Sequence, residues 1–242
     1  MRATKFEFEQ RFWIIGAIFW LGFGLSFFDR TNFAVALLHR FAPSIGAGSA
    51  QENPGLRFIF ASAGILVFCA ALLRTWATAY LRTEVVHDAG QHSEALVADG
   101  PFRRVRNPLY LANLPMAAGI GAAASRAGWL FMVVAMWVFM YRLILREEDG
   151  LLDSQGESYR AYCKAVPRLW PSPTPRVPSA GGHPRWGQAL AGEIFIWLFG
   201  VALICLAITL DFKLPAIVTA MGFLIYFVAV NLVKKRAAVS NG

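Results

Sequence analysis

Long apolar stretches alternate with short polar segments along the chain. Six of these stretches reach or approach the roughly 20 residues that a helix needs to cross about 30 Å of hydrocarbon. They cover residues 12–28, 58–81, 109–124, 127–145, 189–210 and 214–233. Because lipid offers no partner for backbone polar groups, each stretch predicts a helix. The pattern therefore predicts an all-α fold, a polytopic membrane helix bundle with about six transmembrane helices.

Composition and charge support a membrane protein. Hydrophobic residues make up 57% of the chain and charged residues only 16%, against about 25% in soluble domains. The net charge of +8 would also suit a nucleic-acid-binding protein. However, sixteen of the 23 Lys and Arg residues fall in predicted cytosolic segments and five in predicted outer segments. This asymmetry follows the positive-inside rule, so we expect a lipid bilayer as partner, no nucleic acid, and both termini in the cytosol.

The polar segments divide the chain into three parts. Residues 1–56 hold the first span and an outer loop, in which residues 33–41 predict a short interfacial helix. Residues 57–172 form a core that carries most of the candidate chemistry, and residues 173–242 hold a linker and the last two spans. The linker is predicted from the proline-rich composition of residues 172–187. The four histidines and three cysteines show no metal-ligand spacing, so no metal site is expected.

A basic, proline-broken loop precedes the third span. Arg106 comes directly before Asn107 and Pro108, which predict the N-terminus of a helix. The free N–H groups and positive dipole end of such a terminus attract carboxylates, so Arg106 and Asn107 are candidates for holding one. The alternative for Asn107 and Pro108 is helix capping alone. For Arg103 and Arg104 it is contact with anionic lipid.

Charged residues also follow the fourth span, which is predicted to continue as a helix to about Leu152. Glu147 and Glu148 lie about 100° apart on it, so that one can face the protein while the other faces water. Arg142 lies inside the span, where charge is costly and marks a functional site unless the side chain snorkels to the interface. Solvated charge remains the alternative for the two acids. Glu193 is expected to be interfacial. The aromatic residues near the site either belong to an interfacial belt or surround a cation; they are Tyr110, Tyr159, Tyr162 and Trp170.

Two sequence blocks resemble a known group of membrane enzymes. The first is Gly100-Pro101-Phe102-Arg103 followed by Arg106-Asn107-Pro108-Leu109-Tyr110. The second is Glu147-Glu148 and Leu151, then Gly156, Tyr159, Tyr162 and Val166-Pro167-Arg168. Together they resemble the isoprenylcysteine carboxyl methyltransferase and phospholipid methyltransferase group, over residues 72–172. The chain differs from many members at Asn107, where they carry His, and at Leu143, where the prenylcysteine enzymes carry Arg.

The resemblance implies an integral-membrane methyltransferase that uses S-adenosylmethionine without a Rossmann fold. It implies a cofactor pocket between the last two core helices and their cytosolic extensions. The residues at matching positions are Arg106, Asn107, Pro108, Tyr110, Leu111, Glu147 and Tyr162. Glu148 and Arg142 are the catalytic candidates, with Glu148 as the base for an amine or hydroxyl acceptor.

The expected acceptor is lipophilic, either an isoprenylcysteine carboxylate or a lipid head group. It would enter through the small-residue face of the third span, around Ala117, Ala118 and Gly121. The expected location is a bacterial inner membrane. Two alternatives remain open at this point: a sterol-reductase-like enzyme that uses a nicotinamide cofactor, and a non-enzymatic membrane scaffold whose basic loop binds anionic lipid.

Overall fold

The protein is an α-helical bundle. The computed structural model describes residues 1–42, 53–81 and 98–225, and no β-strand occurs in these ranges. This confirms the predicted all-α membrane-type fold. In chain order the helices are α1 (Lys5–Glu9), α2 (Arg11–Gly24), α3 (Phe33–Phe41), α4 (Pro54–Tyr80), α5 (Pro108–Gly121), α6 (Arg126–Gln155), α7 (Glu157–Ala165), α8 (Trp186–Thr209) and α9 (Lys213–Ile225).

Helices occupy all six predicted spans, but their lengths differ. Three of them, α4, α6 and α8, are long and apolar enough to cross a membrane. The apolar helical segments Arg11–Phe27 and Lys213–Ile225 are shorter. Helix α5 has 14 residues, which at 1.5 Å per residue gives about 21 Å and falls short of the hydrocarbon thickness. The end of the predicted span 214–233 lies outside the described residues.

Helix ends follow local capping chemistry. Asn53 accepts from the Gly55 and Leu56 backbone N–H groups at the start of α4, and Ser125 accepts from Gly128 at the start of α6. The predicted interfacial helix over residues 33–41 is present as α3. Helix α6 runs beyond Leu152, as predicted, and ends before Gly156, whose φ of 55° suits only glycine.

Close helix packing fills the middle of the bundle. Helix α4 packs on both α8 and α5, and α6 packs on α5 and α2. A Cβ on Gly119 of α5 would stand 2.7 Å from the Ala63 carbonyl oxygen of α4. The small residues of α5 thus serve helix packing, as their type suggests. Ala117 is fully buried, and a Cβ on Gly121 would lie 3.1 Å from Trp129. The expected lipid entrance beside these residues is therefore occupied by protein.

The proline-rich segment before α8 is not a loose linker. Three backbone N–H groups along it donate to carbonyls of other segments: Ser172 to Arg104 at 2.9 Å, Arg176 to Arg103 at 2.8 Å, and Arg185 to Ala79 at 2.8 Å. We call residues 172–185 the strap. Its composition correctly indicated that the strap lacks regular structure. Two of the three hydrogen bonds tie the strap to the loop before α5, and the third ties it to the end of α4. The proposed boundary of the core at residue 172 stays a prediction.

Candidate functional site

The loop that leads into α5 has a fixed conformation. It contains a short 3₁₀ turn, Gly100–Arg103. Gly100 has a φ of 55°, and a Cβ there would lie 2.3 Å from the Tyr80 ring, so only glycine fits. From the other side, the buried Tyr162 of α7 donates its hydroxyl to the Phe102 carbonyl at 2.7 Å. These contacts hold the residues that follow, Arg106 and Asn107, at the end of α6.

Three polar side chains meet there around one carboxylate, that of Glu148. Glu148 accepts from Arg106 Nε at 3.0 Å, from Asn107 Nδ2 at 3.0 Å and from Arg168 Nε at 2.9 Å. Its side chain is only 6% exposed. Arg106 also donates through Nη1 to the Cys163 and Val166 carbonyls, at 2.6 and 3.1 Å. We call Arg106, Asn107, Glu148 and Arg168 the Glu148 cluster.

Asn107 stands at the N-cap position of α5 but does not cap the helix with its side chain. Its amide instead donates to Glu148 and to the Arg168 carbonyl, at 3.0 and 3.2 Å. The alternative of capping alone therefore does not hold for the Asn107 side chain, because the two bonds that its Nδ2 donates fix the orientation of the amide and its Oδ1 accepts from no N–H group of the first turn. Pro108 is buried in the first turn, where its missing N–H costs nothing, as predicted.

Glu147 faces a different part of the protein. Its carboxylate interacts with the Tyr110 hydroxyl of α5, and Arg11 of α2 contributes a positive charge nearby. Among the described residues, no Lys or Arg lies within salt-bridge distance of Glu147. We call Tyr110 and Glu147 the Glu147 pair. The two neighbouring acids thus have different partners, as their 100° separation allows, but neither is exposed, so the expectation that one of them faces water is wrong.

The remaining candidates lie apart from these two groups or at their edges. Arg142 donates to both carboxylate oxygens of Glu7 on α1, at 2.9 and 2.7 Å, and does not join the Glu148 cluster. Leu111 is partly buried, and its N–H donates to the Asn107 carbonyl at 3.0 Å. Tyr162 holds the loop through the hydrogen bond that its hydroxyl donates to the Phe102 carbonyl. The roles assigned to all these residues stay predictions.

Hydrogen bonds and burial shift the pKa values of three groups around the site. The hydrogen bond from Arg168 to Glu148 raises the pKa of the guanidinium, which stays charged. Burial raises the pKa of the Tyr162 phenol, which therefore remains a neutral donor to Phe102. Burial alone would raise the pKa of Asp99, but hydrogen bonds from Ser179, Gly182 and Ala180 outweigh it and lower the pKa. Asp99 is thus an ionised anchor for the strap.

Two polar pairings could not be predicted from the sequence: that of Arg168 with Glu148, and that of Arg74 with Glu193. Arg168 was noted only as part of a motif, yet it completes the Glu148 cluster across 20 residues of chain. Glu193, which we expected to be interfacial, is buried and pairs with Arg74 at 2.7 Å. The available signal was an Arg and a Glu inside two apolar stretches. Their pairing could not be read from a separation of 119 residues.

The fold and site define an all-α membrane-type protein with a polar site where α5 begins and α6 ends. Residues 58–155 match the phospholipid methyltransferase family. The match confirms the resemblance seen in the sequence and supports a membrane methyltransferase. The matched region includes the loop, both neighbouring acids and Tyr110, but not Arg168 or the strap.

Two curated bacterial proteins are also similar to the chain. The cobalt-zinc-cadmium resistance protein CzcN of Cupriavidus metallidurans is 28% identical over 105 residues, which are 43% of this chain and 45% of that protein. The nickel-cobalt-cadmium resistance protein NccN of Alcaligenes xylosoxydans xylosoxydans is 28% identical over 105 residues, 43% of this chain and 46% of its own length. The match thus spans less than half of each relative. No solved structure matches the chain.

Proposed function

We propose that the protein is an integral-membrane methyltransferase that uses S-adenosylmethionine and acts on a lipophilic acceptor. The family match supports the reaction class. The cofactor, the acceptor and the residue roles are our inference from the site. The observation that carries the proposal is the Glu147 pair, a carboxylate beside the N-terminus of α5 whose contact is a neutral hydroxyl. A carboxylate away from bulk water needs a positive partner, and the cofactor has an ammonium and a sulfonium group.

The residues at this place suit the groups of the cofactor. The Asn107 side chain does not cap α5, so the first-turn N–H groups of Leu109 and Tyr110 remain for a ligand. An uncapped helix N-terminus is a ready site for a carboxylate. Glu147 would then hold the ammonium group, and the Tyr110 ring would border the sulfonium or the adenosine. The methionine part of the cofactor would thus bind through its carboxylate to the N-terminus of α5 and through its ammonium group to Glu147 of α6.

The Glu148 cluster is proposed to position this site rather than to transfer a proton. Glu148 already accepts from three side chains, two of them cationic, so it is a weak base. Arg106 has four acceptors in Glu148, Cys163 and Val166, which leaves it little capacity for a cofactor carboxylate. In this proposal both residues hold the loop and the start of α5 against α6. This replaces the direct roles that the sequence suggested.

Bound S-adenosylmethionine would supply an electrophilic methyl group for in-line transfer to the acceptor. The protein's own contribution would be alignment and the exclusion of water. An acceptor carboxylate needs no base, whereas an amine or hydroxyl would lose its proton to a group outside the Glu148 cluster.

Because apolar helices surround the site, we propose that the acceptor carries an acyl or prenyl chain. We also propose a bacterial inner membrane location with both termini in the cytosol. The relatives' names refer to metal resistance, and no described residues of this chain form a metal-binding group.

Titration calorimetry with S-adenosylhomocysteine tests the proposal directly. Wild-type protein in detergent should bind the compound, and Glu147→Gln should weaken binding about ten- to a hundredfold, because a hydrogen bond to a charged group is worth about 1.5–3 kcal/mol. The matched control is Glu157→Gln, an acid on α7 whose side chain is 80% exposed, and it should bind like the wild type. Binding of a nicotinamide cofactor instead would favour the reductase alternative. If Glu147→Gln binds S-adenosylhomocysteine as tightly as the wild type, Glu147 is not part of the cofactor site.

A further inference from the structure

A polar network lies between the apolar helices, away from the Glu148 cluster. Arg74 of α4 donates to both carboxylate oxygens of Glu193 on α8, through Nε at 2.7 Å and Nη2 at 3.2 Å. Their side chains are only 19% and 7% exposed. Thr78, one turn along α4, donates its hydroxyl to the same carboxylate at 2.9 Å. At 1.5 Å per residue, Arg74 and Glu193 lie about 9 and 10 Å inside the ends of their helices, at matching depth.

The network continues to the helix that begins at the proposed cofactor site. The third nitrogen of the same guanidinium, Arg74 Nη1, donates to Asn113 Oδ1 of α5 at 2.9 Å. Asn113 in turn donates to the Met140 sulfur of α6 at 2.9 Å. Asn113 is 97% buried. Arg74 therefore uses its planar fork to hold α8 with one edge and α5 with the other, which a single ammonium cannot do.

Asn113 lies one helical turn from Tyr110 of the Glu147 pair. It follows Tyr110 by three residues on α5, and Met140 precedes Glu147 by seven residues on α6, so both sets of side chains share one helix face. The contacts from Asn113 to Met140 and from Tyr110 to Glu147 are therefore successive contacts across the same interface. A shift of Asn113 would change the register of α5 against α6 where the cofactor is proposed to bind.

We infer that Arg74 and Glu193 are positioning residues for the methyltransferase site, with Asn113 as the link, and that α8 belongs to the functional core. Glu193 lies beyond the region that matches the family, residues 58–155, whereas Arg74 and Asn113 lie within it. Helix α8 thus supplies the counter-ion that Arg74 needs among apolar helices, and the remaining edge of the guanidinium is directed at Asn113. The inference rests on the proposed function for its readout of cofactor binding.

Paired variants separate positioning from simple stability. Arg74→Lys keeps a charge beside Glu193 but cannot also hold Asn113. The Tm should therefore fall less than in Arg74→Met, whereas S-adenosylhomocysteine affinity should fall at least tenfold. The double variant Arg74→Met with Glu193→Leu removes both buried charges and should recover most of the Tm lost by Glu193→Leu alone. It should not recover affinity, because Asn113 still lacks its donor. Recovery of affinity together with the Tm would mean a structural role only and would overturn the inference.

The control sits at the other end of the same helix pair. Arg57 of α4 donates to the Ala207 carbonyl of α8 at 3.2 Å and also to the Ile208 carbonyl. Arg57→Gln should therefore lower the Tm while leaving S-adenosylhomocysteine affinity unchanged. A loss of affinity as large as that of Arg74→Lys would show that any weakening of the contact between α4 and α8 disturbs the site, which contradicts a specific link through Asn113.

A cofactor-independent measurement distinguishes failure of this inference from failure of the proposed function. In a double-mutant cycle, the Tm losses of Arg74→Met and Asn113→Ala should be less than additive, because both remove one interaction. If the wild type binds no S-adenosylhomocysteine, the proposed function fails and this cycle still tests the link. Additive losses would show that Arg74 and Asn113 are not coupled and would overturn the inference by themselves.

Discussion

Glu147 and Glu148 are adjacent residues on α6 with different surroundings. Glu148 is 95% buried and accepts from Arg106, Asn107 and Arg168. Glu147 contacts the Tyr110 hydroxyl and has no salt-bridge partner in the described parts of the chain. The protein therefore supplies the counter-ions of Glu148 itself, whereas Glu147 has only the more distant charge of Arg11, and we propose that a bound cation completes its surroundings. Two identical side chains at one helix end thus divide into a structural acid and a proposed ligand-binding acid.

The strongest challenge to this comparison is removal of each acid in turn. Glu148→Ala should destabilise the protein by about 3–5 kcal/mol, because it leaves the buried Arg106 and its neighbour Arg168 without their carboxylate. Glu147→Ala should change stability far less, since it removes no ion pair. Thermal unfolding in the same detergent measures both. Equal losses of stability would show that the two acids do not differ in the way we describe.

A third acid, Asp99, allows a test of how the strap is anchored. Asp99 accepts from Ser179, from Ala180 N–H at 3.0 Å and from Gly182 N–H at 2.8 Å. Because its folded-state pKa is lowered, the stabilisation is present above the ordinary value of 3.8 and is lost as the pH falls below that value through the folded pKa. Asp99→Asn should cost about 1.5–3 kcal/mol at pH 7.

Limited proteolysis of the strap gives the corresponding readout. Wild-type protein should be cut within residues 172–185 only below about pH 4, by an acid protease. Asp99→Asn should be cut there at neutral pH as well, by a protease active at that pH. If the wild type is equally sensitive at both pH values, Asp99 does not anchor the strap.

The contribution of Tyr110 should be smaller. Tyr110→Phe removes the hydroxyl that contacts Glu147 while keeping the ring beside the proposed sulfonium position. Because this hydroxyl contacts Glu147 and not the ligand itself, its loss should weaken binding less than the loss of the Glu147 charge, by about 0.5–1.5 kcal/mol or roughly a factor of two to ten in S-adenosylhomocysteine affinity. Tyr159→Phe is the matched control, because this tyrosine packs against Tyr162 in α7 and not against Glu147. A larger effect from the control would move the binding site away from α5.

Arg142 should give the smallest effect. Its pair with Glu7 is partly exposed, at 25% and 26%, and such pairs contribute about 0.2–1 kcal/mol. Arg142→Gln should therefore lower the stability slightly and leave S-adenosylhomocysteine affinity unchanged in calorimetry. A tenfold loss of affinity would restore the role that the sequence suggested and would connect α1 to the cofactor site.

The amino-acid pattern alone predicted much of the architecture. The length of the apolar stretches predicted the helices, including α4, α6 and α8, because the hydrocarbon thickness sets the length of a span. The continuation of α6 past Leu152 and the different partners of Glu147 and Glu148 also followed, since both depend on helix geometry. The loop and second motif predicted the family that residues 58–155 match.

Only the tertiary structure decided which charges neutralise one another. Glu148 meets Arg106 across 42 residues, and Arg74 meets Glu193 across 119 residues. Sequence reasoning left Arg106 available for a ligand and Glu193 at the interface because a residue's type shows its charge but not its partner. The same limit applies to Asn107, for which the sequence offered ligand binding or helix capping and whose side chain instead donates to Glu148. Local geometry is set by neighbours in the chain, whereas the pairing of buried charges depends on which helices pack together.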